Sequence, residues 1–296
     1  MMNSISSRKS PFAALVVFTA IFLSACSPSG GNDSGTSYTE AKSSGAASLR
    51  VLYVEADGFA YHDENNELTG VTVEIMRDFV RWFERYHAVN VELEFVAETN
   101  WQTFYQRIVS ADGGVFGLGN VTITEARKEE LQFSPAYLNN VAVLITNNEV
   151  TELEGWDDIA RNFADLKPMA FSGTLHEVRV TELRDRFQPS LPIAQATSNP
   201  EIINAVASEG YYSYIDAYNY WRAVDSGISL MHHAIADDFG ETFGIIMPHN
   251  NDWATMLTAF FAAEGGYRNS QAYRDIMETH LGKALTATLE AARTNN

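Results

Sequence analysis

From Leu49 onward, short runs of β-branched and aliphatic residues alternate with longer stretches in which apolar positions recur every three or four residues. Leu49–Val54 reads as a strand. Val71–Tyr86 reads as an amphipathic helix, with Val73, Ile75, Met76, Phe79, Val80 and Phe83 on its apolar side. Val91–Val96 follows as a strand, Trp101–Ser110 as a helix, and Val115–Gly119 as a short apolar strand that runs into Asn120-Val121-Thr122-Ile123-Thr124, where Thr124 is suited to cap a helix. Two extended segments of similar character, Val141–Thr146 and Phe243–Pro248, lie about a hundred residues apart. Between them come a strand at Met169–Phe171, a helix from Thr174, a strand at Ile193–Ala196, a helix capped at Ser198 or Asn199 with Pro200 in its first turn, and a strand at Tyr211–Ile215. Helices at Trp253–Glu264 and Ser270–Leu281, separated by Gly265-Gly266, close the pattern. Such alternation predicts an α/β fold with largely parallel sheets. No short-period repeat is present, which excludes solenoids and propellers.

The stretch before this pattern has a different character. Arg8 and Lys9 precede an apolar run from Phe12 to Leu23, which meets Ser24-Ala25-Cys26. The run is shorter than the ~20 residues a membrane-crossing helix needs, so residues 1–25 read as an export signal. Leu23-Ser24-Ala25-Cys26 resembles the lipobox of bacterial lipoproteins, which implies lipidation at Cys26 and a membrane-anchored protein in the periplasm or on the cell surface. Cys26 is the only cysteine, so an internal disulfide is excluded and the fold must rest on its hydrophobic core. Residues 27–47 hold six serines and four glycines, and the range 26–47 is expected to be a flexible tether.

Acidic residues outnumber basic ones by 38 to 20. Nucleic acid is therefore not an expected partner, since phosphate binding needs a concentrated basic face. The acidity is otherwise compatible with plain solubility.

Five pieces, in order, carry a resemblance: Leu49-Arg50-Val51 with Gly70-Val71-Thr72-Val73-Glu74; Trp101 and its helix; Gly119 through Arg127; Phe133-Ser134-Pro135-Ala136-Tyr137; and Ser172-Gly173-Thr174. Together they resemble the type 2 periplasmic binding proteins, specifically the polar amino-acid (family 3) solute-binding proteins of ABC importers. The resemblance runs from Leu49 to about Gly282. It implies a two-lobed, Venus-flytrap α/β fold with two hinge crossovers. Lobe 1 would take residues 48–142 and 245–296, lobe 2 would take 143–244, and the hinge strands would lie near Val141 and Phe243. It further implies a monomer that needs no cofactor, takes a small zwitterion such as an amino acid, and delivers it to an ABC permease.

The resemblance also implies roles for particular residues. Arg127 would pair with a ligand carboxylate through its planar, always-charged fork; the plainer reading is an exposed helix arginine pairing with Glu130. Thr122 would offer a hydroxyl and an amide to the same carboxylate, or it is a turn hydroxyl bonding its own backbone. The carbonyl of Gly119 would accept from a ligand ammonium, and Asp216, at the end of the Tyr211–Ile215 strand, would hold that ammonium or else cap the following helix. Thr174, with the amides of Ser172 and Gly173, would point a helix N-terminus into the cleft or simply cap it. Trp101, Phe59 and Tyr61 are candidate walls, and Glu55 or Asp57 could meet a cationic side chain.

This chain departs from the family pattern at Glu55-Ala56-Asp57-Gly58, where an aromatic followed by proline is common, at Val115, where an aspartate is common, and at Asn120, where glycine is common. Two other functions share the fold: a sensory lipoprotein that reports ligand occupancy to a membrane receptor, and a dehydratase-like enzyme. No catalytic signature supports the second, and His232-His233, being adjacent, cannot share a helix face to bind a metal.

Overall fold

The computed structural model describes residues 33–283, 285–287 and 289, so the export signal and Cys26 lie outside the described residues. The alternating pattern resolves into strands β1 (Ala46–Val54), β2 (Asn90–Glu98), β3 (Val115–Thr122), β4 (Leu131–Phe133), β5 (Leu138–Asn147), β6 (Lys167–Phe171), β7 (Ala194–Ala196), β8 (Tyr211–Asp216), β9 (Leu230–His232) and β10 (Asp238–Pro248). The principal helices are α1 (Tyr38–Ser44), α2 (Val71–Tyr86), α3 (Trp101–Val109), α4 (Glu125–Lys128), α5 (Leu175–Phe187), α6 (Asn199–Ser208), α7 (Ala217–Asp225), α8 (Ala254–Ala262) and α9 (Gln271–Leu281). Among the described residues these strands form one sheet in the order β7-β6-β8-β5-β10-β3-β1-β2, with β9 beside β5 and β4 beside β10.

Pairing is parallel at both ends of the sheet and antiparallel in the middle, where β8, β5, β10 and β3 lie side by side. The parallel ends are covered on both faces, as parallel sheets require. Strand alternation does the sorting. In β1, Leu49, Val51 and Tyr53 face a core shared with α2 and the closing helices, while Leu52 faces the opposite side with Phe104 and Ile108 of α3. In β5, Val143 and Ile145 face one cluster with Ile202 and Val206 of α6, and Ala142 and Leu144 face another with Val180 and Leu183 of α5. The molecule is thus two-lobed, with β5 and β10 running from one lobe to the other. These strands pair antiparallel, Leu138 with Phe243, Asn139 with Thr242 and Asn140 with Glu241.

The tether expected over 26–47 needs correction for its described part. Asp33 receives a two-pronged ion pair from Arg107, with both nitrogen–oxygen distances at 2.8 Å. Ser34–Gly35 pairs with Asp112–Gly113. α1 then docks by its N-terminus, because the carboxylate of Asp252 accepts from the amides of Tyr38 at 2.7 Å and Thr39 at 2.9 Å. Tyr38 packs against Trp253, and Ala41 is fully buried. Composition concealed a local signal: Ser37 and Glu40 form a capping box, and Gly45 closes the helix with φ +77°.

One buried histidine makes stability depend on pH. The Leu153 amide donates to His233 Nδ1 at 3.2 Å, which leaves the ring proton on Nε2, 2.9 Å from the Thr146 hydroxyl oxygen. Both ring nitrogens are occupied in the neutral form, and burial, with His232 alongside, pulls the pKa from 6.5 down to about 4. Below pH 6.5 the unfolded chain takes up a proton that the folded chain refuses until about pH 4, so stability must fall across that window. Urea unfolding midpoints measured from pH 7 downward are expected to drop over this range, with a shallower slope in His233→Gln.

Candidate functional site

Between the lobes lies a cavity of about 90 Å³ whose lining includes Arg127, Thr122, Gly119 and Trp101 from one side and Asp216, His176, Thr174 and Tyr218 from the other. Two wider surface depressions, of about 320 and 350 Å³, lie away from Arg127 and Asp216.

Arg127 sits on the single turn of α4, capped by the Thr124 hydroxyl, which accepts from the Arg127 amide at 3.2 Å. Its Nη1 donates to the Thr122 carbonyl at 3.0 Å, and the guanidinium lies 5.8 Å from the centre of the Tyr105 ring. Glu130, the obvious surface partner, instead accepts from the Tyr105 hydroxyl at 2.9 Å. Among the described residues no carboxylate comes within ion-pairing distance of this guanidinium. Burial pulls its pKa below the ordinary arginine value, partly offset by the fields of Tyr105, Glu241 and Glu130. An arginine nevertheless keeps its charge, so the group is a half-buried cation with donors to spare.

Asp216 occupies the cap position of α7 but makes no side-chain capping bond. Its Oδ1 accepts from Asn140 Nδ2 at 2.5 Å and lies 3.1 Å from His176 Nε2. The sequence alternative of a simple helix cap therefore does not describe it. Asn140 Nδ2 also reaches Glu241 Oε2 at 2.9 Å. The same Glu241 oxygen accepts from the Thr122 hydroxyl at 3.2 Å, and Glu241 forms an ion pair with Arg179. The two candidate ends of the site thus share one network: Thr122 holds Arg127 through its carbonyl and reaches Glu241 through its hydroxyl, and Asn140 links Glu241 to Asp216.

The lobes touch directly across the cleft. Trp101 Nε1 donates to the Gly173 carbonyl at 3.2 Å, Asn120 Nδ2 donates to the Tyr218 hydroxyl at 3.1 Å, and Arg222 lies 3.4 Å from Asp57. A Cβ on Gly119 would come within 2.8 Å of Trp101 and 2.6 Å of Phe104, so only glycine lets these rings approach the strand.

A family model described as bacterial extracellular solute-binding proteins, family 3, matches residues 49–283. The chain belongs to this family. Solved structures of the same fold include the arginine-, lysine-, histidine-binding protein ArtJ from Geobacillus stearothermophilus, with 18% identity, a TM-score of 0.63, and 80% of this chain and 96% of that one covered. A substrate-binding protein of an ABC uptake transporter from Streptococcus pneumoniae with bound histidine is similar at 14% identity and a TM-score of 0.62, covering 83% and 96%. The ancestral amino acid-binding protein AncCDT-1, a precursor of cyclohexadienyl dehydratase, is similar at 18% identity and a TM-score of 0.62, covering 79% and 95%. No curated protein matches this chain in sequence.

In this solute-binding protein the cavity brings together Arg127, Asp216, Thr122, Gly119, Trp101, Thr174 and Glu55. Phe59 and Ser172 are not in the lining. Phe59 is sealed in the lobe 1 core behind Tyr218, their rings 4.5 Å apart, and Tyr218 forms that part of the wall. The Ser172 hydroxyl donates to Gln195, and its amide bonds the Ala196 carbonyl. The Gly173 amide is likewise taken, by the Glu177 carboxylate at 2.8 Å, so neither backbone donor expected at this helix start is free. Tyr61 turns to His280, and the Glu55 carboxylate to His62. His176, Tyr218, Asn140 and Glu241 were not legible as site residues. His176 lies two residues into α5, but its pairing with Asp216 spans forty positions.

Glu241 is only 5% exposed, with Arg179 alongside. Removing a buried partner leaves the other charge uncompensated at a cost of about 3–5 kcal/mol. Glu241→Ala is expected to lower stability by that order in chemical denaturation, and Glu241→Gln by clearly less.

Proposed function

We propose that this chain is a membrane-anchored extracytoplasmic lipoprotein that captures a small zwitterionic ligand, an amino acid, for an ABC importer. The observation that carries the reading is the convergence, in one cleft between two lobes, of a guanidinium with no acid partner and a carboxylate with an uncommitted oxygen. Arg127 takes the ligand carboxylate, and Asp216 takes the ammonium through the oxygen not held by Asn140 and His176. A dry, enclosed setting strengthens both contacts relative to water. Trp101 and Tyr218 supply apolar wall. The Thr122 hydroxyl commits its single proton to Glu241, so in this reading Thr122 serves by orienting Arg127 rather than by donating its hydroxyl to the ligand. Amino-acid ligands named for similar solved structures support the choice of ligand class.

Closure of the lobes about β5 and β10 would be the event a permease senses, since the hinge strands need only a few residues to absorb the motion. The reading is of a binder without turnover, and any product released from a bound ligand overturns that part. A thermal-shift screen of the soluble body against amino acids tests the main claim, because a ligand specific to the folded state must raise its melting point. Arg127→Ala and Asp216→Asn are each expected to weaken binding by roughly 10- to 150-fold, the worth of a charge-assisted hydrogen bond at ~1.5–3 kcal/mol. Calorimetric titration reads this directly; two variants that bind like the parent sink the assignment. For the anchor, Cys26→Ala is expected to move the protein from the membrane fraction to the soluble one.

A further inference from the structure

Asn120 is one of three non-glycine residues among those described with a left-handed backbone, at φ +53°. Asparagine tolerates this region better than most side chains, and glycine would enter it with no steric penalty. Both ends of the Asn120 side chain are occupied. Its Oδ1 accepts from the Tyr137 hydroxyl at 2.6 Å, and its Nδ2 donates to the Tyr218 hydroxyl at 3.1 Å. Tyr137 and Tyr218 are 1% and 3% exposed, so neither can swing aside. Asn120 is thus braced from both sides, and it lines the cavity with Tyr218 and Phe243.

The space that remains is small. A cavity of about 90 Å³ lies far below the ~300 Å³ at which pockets for drug-sized ligands begin. A long side chain would have to displace a residue whose polar atoms are both satisfied in a buried setting, and overpacking such a wall is costly.

We propose that Asn120 is the size gate of this site, restricting it to the smallest zwitterionic amino acids, with side chains of no more than about two heavy atoms. This rests on the zwitterion reading above and adds which members of the class are accepted. Its test is a calorimetric titration of the parent and of Asn120→Gly with glycine, alanine and serine on one side and glutamine, lysine and arginine on the other. The parent is expected to bind the small set at least about tenfold more tightly, the scale on which pockets discriminate by a methylene or more. In Asn120→Gly, which relieves the backbone and opens the wall, that preference should shrink to about threefold or less through gained affinity for the large set. Tyr218→Phe, which breaks one brace and keeps the ring, should narrow the parent's preference part of the way toward that of Asn120→Gly.

A residue that merely stabilised closure would change affinity for all six ligands alike, and an unchanged ratio in Asn120→Gly overturns the gate. A parent that prefers the large set overturns the proposal even if the variant fails to fold, while leaving the amino-acid reading intact. Binding of none of the six by the parent removes both.

Discussion

The carboxylate of Glu241 is the charge around which the centre of this molecule is organised. It stands on one long strand opposite Asn140 on the other, at the place where both strands pass between the lobes. A buried carboxylate persists only if it is paired or hydrogen-bonded, and here Thr122 of one lobe and Asn140 of the crossing strand donate to it while Arg179 of the other lobe forms its ion pair. Satisfying that one group fixes the side chains on which the rest of the site depends. Thr122 holds Arg127, and Asn140 holds Asp216.

Outside this polar centre the architecture is hydrophobic and divided. Each lobe packs helices against both faces of its own stretch of parallel sheet, and the apolar clusters of the two lobes stay separate except where Tyr218 of α7 packs on Phe59 in the lobe 1 core. Among the described residues two antiparallel strands, a polar network and the Phe59–Tyr218 contact join them. An apolar junction would fuse two lobes into one rigid core, whereas hydrogen-bonded and ionic contacts can be exchanged for water at modest net cost. A cleft lined by opposite charges and bridged by single bonds such as Trp101 to Gly173 fits a body built to open and close.

The departures from expectation share a cause. α1 was hidden because its stabilising partner, Asp252, is more than two hundred residues away, although the capping box at Ser37 was present locally. The Ser172 and Gly173 amides read as free donors until Ala196 and Glu177 were seen to fill them. Phe59 read as a wall because an aromatic near a cleft is ambiguous; burial behind Tyr218 decided it. Asn120 stood out as an unusual residue, but its bracing by two tyrosines depends on the packing of both lobes.

Arg127 and Asp216 were pointed to by a family resemblance; by itself the sequence determined the periodicity of strands and helices and the residues suited to cap them, hence an α/β fold. These are consequences of local geometry, since period and capping are set within a few residues. Only the tertiary structure decided which polar groups are already satisfied and which are not, and how much room is left between them. Hydrogen-bond partners and cavity walls come from positions tens to hundreds of residues apart, brought together by burial of apolar surface that carries no record of those pairings.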